Sequence, residues 1–269
     1  MLVTLATRTF TPEPTAAALR LGALARALAA GGDAVRVLTS RLALSVARDA
    51  CRLADGGAEP GEGLGLVEVR RAPVLRDRTG AVRGYVSYMS FDVPLVARLL
   101  TGPRPDVVVS EPPPTTGAAV RIACAARRVP YVYYCADIVS DAAALAGVPG
   151  LVVRAVAGLE SFALRGARRV IAVSDGVARR ARDLGARDVV VVPNGVRVPD
   201  AVAAGTPEGF PACDGPVFVY AGTVAQWLAP EVFVDAFERA RSRLGDARLV
   251  FVGQGSGWDA LAERSRGVV

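Results

Sequence analysis

Short runs of Val, Leu, Ile and Ala recur along the chain and alternate with stretches whose apolar positions return every three or four residues. The clearest unit is residues 169–196, RVIAVSDGVARRARDLGARDVVVVPNGV. Its pattern predicts a strand over 170–173, a turn on Ser174-Asp175-Gly176, a helix to Leu184 and a strand over 189–192. A sharp break follows at Pro193-Asn194-Gly195. Strands that are apolar throughout belong to parallel sheets, because helices cover both faces of such a sheet.

The same rhythm runs upstream. Residues 2–6 read as a strand, and 16–30 as a helix with Ala17, Leu21, Leu24 and Leu28 on one face. Gly31-Gly32 ends that helix and a strand over 34–38 follows, a βαβ unit whose crossover should be right-handed. Residues 52–64, rich in Gly and charge, read as a mobile loop before a strand over 66–69. Residues 75–91 mix Arg76, Arg78 and Arg83 with Tyr85, Tyr88, Met89 and Phe91, then run into an apolar helix over 93–100. Strands over 106–109 and 131–135 come next, the first opening into Ser110-Glu111-Pro112-Pro113-Pro114-Thr115-Thr116-Gly117 and a helix to about Arg128. A further helix is expected over 151–165.

Seven strands alternating with helices define an α/β, doubly wound, Rossmann-like domain over 1–198. A linker rich in Pro, Gly and Ala fills 199–215. The rhythm then restarts over 216–269 with a strand (217–221), a helix (230–244), a strand (248–252) and a helix (258–264). Two βα units make only part of a second Rossmann-like domain, which has about six strands.

Composition narrows the chemistry. The hydrophobic share of 52% rules out disorder, and no apolar run reaches the roughly 18–20 residues of a membrane span. The start of the chain has no basic segment ahead of a long apolar one, so no signal peptide is expected. Cys51, Cys124, Cys135 and Cys213 form no CxxC pair and read as reduced thiols of a cytoplasmic protein. All 32 basic residues are Arg, with neither Lys nor His. That excludes a Ser-His-Asp triad, a histidine base, a Schiff-base lysine and a P-loop lysine. Phosphate recognition must therefore use Arg, backbone N–H groups and helix amino termini. The net charge of +6 favours anionic partners such as nucleotide diphosphates or acidic lipid surfaces. Nucleic acid is disfavoured, because the arginines are scattered and no recognition motif accompanies them.

Ligands of open parallel sheets bind beyond the carboxyl ends of the strands, so the loops there carry the candidate chemistry. Glu13 and Thr15 stand in the first such loop, where Thr15 reads equally as a helix N-cap. Thr115 belongs to the proline-rich loop, which reads equally as a structural turn. Asp137 and Asp141 follow a buried strand. Asp137 is placed to orient or deprotonate a hydroxyl, with helix capping as the competing role. In the second domain, Gly222-Thr223 and Gly253-Gln254-Gly255-Ser256-Gly257 would let a backbone approach a pyrophosphate, although such a run is weak evidence by itself. The segment of 76–91, with its arginines and aromatics, suits a membrane surface or a lipid-linked acceptor, or an ordinary solvated loop.

Four passages taken in order carry a family likeness: FTPEPTAAALRLGALARALAAGGDAVRVLTS; PDVVVSEPPPTTG with VPYVYYCADIVSDAA; LESFALRGARRVIAVSDGVARRARDLGARDVVVVPNGV; and PVFVYAGTV with VFVDAFERA and ARLVFVGQGSGWDALAERS. Together they resemble the retaining family-4 glycosyltransferases of the GT-B fold. The resemblance implies an acceptor-side first domain and a donor-binding second domain. Transfer would run with retention from a nucleotide diphosphate sugar to a hydroxyl of a glycan, a lipid-linked acceptor or a small molecule. It implies no metal and no cofactor beyond that co-substrate, and a cytoplasmic site of action with peripheral contact at the inner face of the membrane. By the same likeness Asp137 is the catalytic candidate, and Glu13, Thr15, Thr115, Asp141 and Ser174 are acceptor-binding candidates. Gly222, Thr223, Gly253 and Gly255 are donor-binding candidates. The chain departs from the family pattern at Thr15-Ala16, Ala136-Asp137, Gly222-Thr223 and Trp227-Leu228, where basic or glycine residues are usual. The Glu-x7-Glu donor segment is expected beyond Val269, so the resemblance also implies a chain truncated within its donor domain. A catalytically inactive or truncated glycosyltransferase-like binding protein is the alternative.

Overall fold

The structure, a computed structural model, describes residues 1–13, 15–44, 46–47, 67–77, 82, 84–195, 210, 214–224, 228–255 and 257–266. The expected loop over 52–64 lies outside the described residues, as do Arg78, Arg83, Trp227, Ser256, Cys51, Cys213 and most of the linker. Two compact units emerge. One comprises Met1–Ala144 with Val148–Arg197, and the other Leu145–Gly147 with Val198–Val269.

The first unit is built on seven strands: β1 (Leu2–Ala6), β2 (Ala34–Ser40), β3 (Val67–Ala72), β4 (Val107–Ser110), β5 (Tyr131–Cys135), β6 (Arg169–Ala172) and β7 (Val189–Val191). All pair in parallel, in the order β3-β2-β1-β4-β5-β6-β7. Helices α1 (Ala16–Ala30), α2 (Tyr85–Thr101), α3 (Pro114–Arg127), α4 (Val139–Leu145), α5 (Gly150–Gly166) and α6 (Asp175–Asp183) fill the connections. Strand alternation sorts the core into two layers. Val3, Leu5, Val35 and Val37 pack with Phe10, Leu21 and Ala25 on one face. Ala6, Leu38, Val108 and Tyr133 pack with Leu95, Leu99, Val120 and Leu164 on the other. Between β1 and β4 the strand order reverses, the place where a doubly wound sheet opens a crevice at its carboxyl ends.

Two elements differ from expectation. Helix α2 starts at Tyr85, not at residue 93, and carries Pro94 in its interior. Gly84 opens it with φ 85, a left-handed conformation suited to glycine. Phe91, Leu95 and Leu99 recur at helical spacing and are buried, so the mixed aromatic stretch before Pro94 is helix, with Tyr85, Val86 and Val93 left exposed on it. Helix α4 was not expected. Its amino end is held by Glu160 of α5, a buried carboxylate that accepts from Val139 N (2.9 Å), Ser140 N (3.1 Å) and Ser140 Oγ (2.6 Å). A partner twenty residues away leaves no local capping signal to read.

The second unit contains β8 (Val217–Thr223), α7 (Glu231–Leu244), β9 (Arg248–Gln254) and α8 (Trp258–Arg264), around Val224, Val234, Phe237, Leu249 and Leu261. Both strands run two residues further than expected. Gly222 therefore pairs with Gly253, and Thr223 with Gln254, inside the ladder and not in loops. A Cβ on Gly253 would lie 1.8 Å from the Gly222 carbonyl oxygen, and one on Gly255 1.9 Å from that of Val224. Backbone contact alone accounts for glycine at both positions. Among the described residues no helix is long and apolar enough to cross a membrane.

Candidate functional site

The crevice at the reversal is a cleft of about 280 Å³. Three strand ends build it. After β1 come Arg8 and Thr9, after β4 Glu111, Pro112 and Pro113, and after β5 Ala136 and Asp137. Arg20 of α1 and Tyr88 of α2 close its sides.

Glu111 is the most perturbed group there. It is 5% exposed and accepts a short hydrogen bond from the Thr7 hydroxyl. Burial pushes its carboxyl up to about 7, against the opposing pull of Thr7, Arg20 and Arg8, while the charge of Asp137 adds to the rise. Arg8 stacks its guanidinium 3.9 Å from the centre of the Tyr88 ring. Its Nε and Nη1, and Nε of Arg20, are buried without a hydrogen-bond partner. Asp137 is exposed at the rim. The cleft thus combines unused guanidinium donors, suited to an anion, with one buried and one exposed carboxyl group, suited to a hydroxyl. Among the described residues no three His, Cys, Asp or Glu side chains gather as a metal ion requires.

The other sequence candidates lie elsewhere or are engaged. Thr15 caps α1, accepting from Ala18 N at 3.1 Å, and its hydroxyl lies 3.4 Å from that of Thr9. Glu13 is buried 3.6 Å from Arg76, and burial raises its pKa against the pull of Arg76 and Arg71. Thr115 lines a separate apolar pocket with Tyr85, Met89 and Ile122, between α2 and α3. Asp141 holds Arg180 in a two-pronged pair, 2.8 and 2.7 Å, which lowers its pKa. Ser174 caps α6 by accepting from Val177 N at 3.3 Å. In the second unit, Gly222, Thr223, Gly253 and Gly255 cluster at the carboxyl ends of β8 and β9. Of the first unit's candidates, the cleft gathers Asp137 alone among its lining residues, and adds Glu111, Arg8 and Arg20, which sequence reading did not single out. The available signal was position: Glu111 and Arg8 each follow a buried strand within two residues.

Set against solved structures, this architecture is GT-B-like and Rossmann-like. Sucrose-phosphate synthase from Thermosynechococcus elongatus aligns over 98% of this chain and 65% of its own, at 15% identity and a TM-score of 0.64. The S. aureus MnaA–UDP co-structure aligns over 100% and 65%, at 14% identity and TM-score 0.55. Arabidopsis thaliana UGT89C1 complexed with UDP-L-rhamnose aligns over 94% and 69%, at 10% identity and TM-score 0.51. The chain therefore spans about two thirds of the length of these structures. No curated protein sequence matches it significantly. Residues 15–195 match the glycosyl transferase 4-like domain, and the chain belongs to that family.

Proposed function

We propose that the protein takes part in glycosyl transfer with retention, moving a sugar from a nucleotide diphosphate donor to a hydroxyl of a glycan, lipid-linked or small-molecule acceptor. The observation that carries this reading is the pairing of buried Glu111 with exposed Asp137 at the sheet's reversal, flanked by Arg8 and Arg20. The first unit holds the acceptor. Asp137 hydrogen-bonds the reacting hydroxyl, whose oxygen bonds to the anomeric carbon as the bond to the diphosphate breaks and whose proton passes to the departing diphosphate oxygen. Glu111, near half-ionised at neutral pH, orients the acceptor through its second oxygen, and the guanidinium groups offset negative charge. Glu13, Thr15, Thr115, Asp141 and Ser174 are the further acceptor-binding candidates that the family likeness supplies. The ends of β8 and β9, at Gly222, Thr223, Gly253 and Gly255, take the donor's nucleotide. The site of action is cytoplasmic, with peripheral contact at a membrane face where the acceptor is lipid-linked.

Calorimetry against a panel of nucleotide diphosphate sugars, followed by transfer assays with those that bind, tests the reading. Asp137→Asn should lower kcat by roughly 10²–10⁴-fold while leaving donor affinity unchanged. Full turnover in that variant would remove Asp137 from the reaction. Absence of affinity for every donor would remove the transferase reading.

A further inference from the structure

A second cavity, of about 450 Å³, opens on the α2 side of the sheet near its β3 edge. Its lining includes Thr4 of β1, Arg36 of β2, Arg70 and Arg71 of β3, and Arg98 in the last turn of α2. Strand register sets Thr4, Arg36 and Glu68 side by side in one row across β1, β2 and β3. The next position along the same face carries Ala6 and Leu38 into the apolar core. Arg36 and Glu68 thus place charge on a face whose next positions, Ala6 and Leu38, are apolar and buried.

The charges do not balance within the row. Arg36 and Arg70 both donate through Nε to the single carboxylate of Glu68, each at 2.6 Å. Arg98 gives one Nη2 hydrogen bond to the Arg70 carbonyl oxygen at 2.7 Å, and its Nη1 is buried without a partner. Burial first, then the adjacent Arg70 charge, disfavours the protonated form of Arg98. A guanidinium does not shed its proton at physiological pH, so these costs stay in the folded protein until an anion offsets them.

We propose that this cavity is a binding site for a diphosphate-type anion, distinct from the cleft at the reversal and independent of the function proposed there. Arg36 and Arg70 share the one Glu68 carboxylate and Arg98 brings a third guanidinium to the same cavity, which leaves a surplus of positive charge. Their planar forks match phosphoryl oxygens in pairs. The space exceeds what one inorganic phosphate fills, so the ligand carries a second phosphoryl or an attached group. A free diphosphate and a phospholipid headgroup share this chemistry.

Inorganic pyrophosphate titrated calorimetrically into the wild type, Arg98→Gln, Arg70→Gln and Arg98→Lys tests the site. Parallel sedimentation uses vesicles of phosphatidylglycerol or of phosphatidylcholine. Circular dichroism melts verify folding, and Arg20→Gln reports binding at the other cleft. The expected result is ~10-fold weaker pyrophosphate affinity in Arg98→Gln and in Arg70→Gln, partial recovery in Arg98→Lys, and no change in Arg20→Gln. Retention on phosphatidylglycerol alone, lost in Arg98→Gln, would support the site with a headgroup as its ligand. Equal affinity in all variants, a loss confined to Arg20→Gln, or no binding to either probe would overturn the proposal.

Discussion

Thr7 Oγ1 has one proton and two acceptors in reach, the Glu111 carboxylate and the Thr9 carbonyl oxygen at 2.7 Å. With Glu111 ionised, the hydroxyl serves the carboxylate. With Glu111 protonated, the carboxyl donates to Thr7 and the hydroxyl turns to Thr9. The backbone after β1 is therefore coupled to the charge state of a group that titrates near neutrality.

That coupling fixes a sign. The Glu111 pKa rises from 4.5 to about 7 on folding, so its contribution to stability is full below about pH 4.5 and is lost as pH rises through about 7. Glu13 and Asp92 are raised too, both chiefly by burial, so the wild-type profile alone mixes three groups. The difference between wild type and Glu111→Gln isolates one. Across that window it should move by as much as about 3 kcal/mol in favour of the variant, read by urea denaturation at several pH values. A flat difference would place the Glu111 pKa near its ordinary value.

Glu160 satisfies three donors at the start of α4 and is 0% exposed. Glu160→Ala should cost about 3–5 kcal/mol in urea denaturation, since buried donors are left unpaired. Glu160→Gln, which keeps one acceptor, should cost less. Because α4 follows Asp137 directly, Glu160→Ala should also raise acceptor KM more than it lowers kcat.

Glycines in this chain divide into those with room and those without. Gly253→Ala places a methyl group 1.8 Å from the Gly222 oxygen and should destabilise the second unit by about 3 kcal/mol or more, seen as early protease cleavage after β8. Gly176→Ala meets only the Ser174 hydroxyl at 3.8 Å, within helix α6. That change should stabilise by roughly 0.5–1 kcal/mol in thermal melts.

Asp141 and Arg180 form a bidentate pair at the surface, 42% and 44% exposed. A double-mutant cycle with Asp141→Asn and Arg180→Gln should give a coupling of about 0.5–1 kcal/mol. If Asp141 also holds acceptor, Asp141→Asn raises acceptor KM by more than Arg180→Gln does.

The strands and the parallel sheet were legible because runs such as Val107–Val109 and Val189–Val191 need no distant information. Helix α2 was legible only from Val93 onward, because a proline just after that residue reads as a first helical turn and the aromatic first turns lack a clean apolar stripe. The glycines of the second unit read as a ligand loop, and strand register adds that Gly253 packs against the Gly222 carbonyl and Gly255 against that of Val224. Only three-dimensional register reveals those contacts. Asp137 could be picked from sequence since it follows β5 directly. Glu111 stood beside three prolines, and its perturbation comes from burial in the folded chain, which no spacing encodes.

Arg8 and Arg20 are the basic side chains that line the cleft. In a chain with 32 arginines and no histidine or lysine, acidification recruits no new positive charge from basic side chains near neutrality. Any response of the cleft to proton concentration in that range falls to its carboxyl groups. A mildly acidic compartment would thus change the site by removing negative charge, and Glu111, raised to about 7 by burial, is the carboxyl that responds.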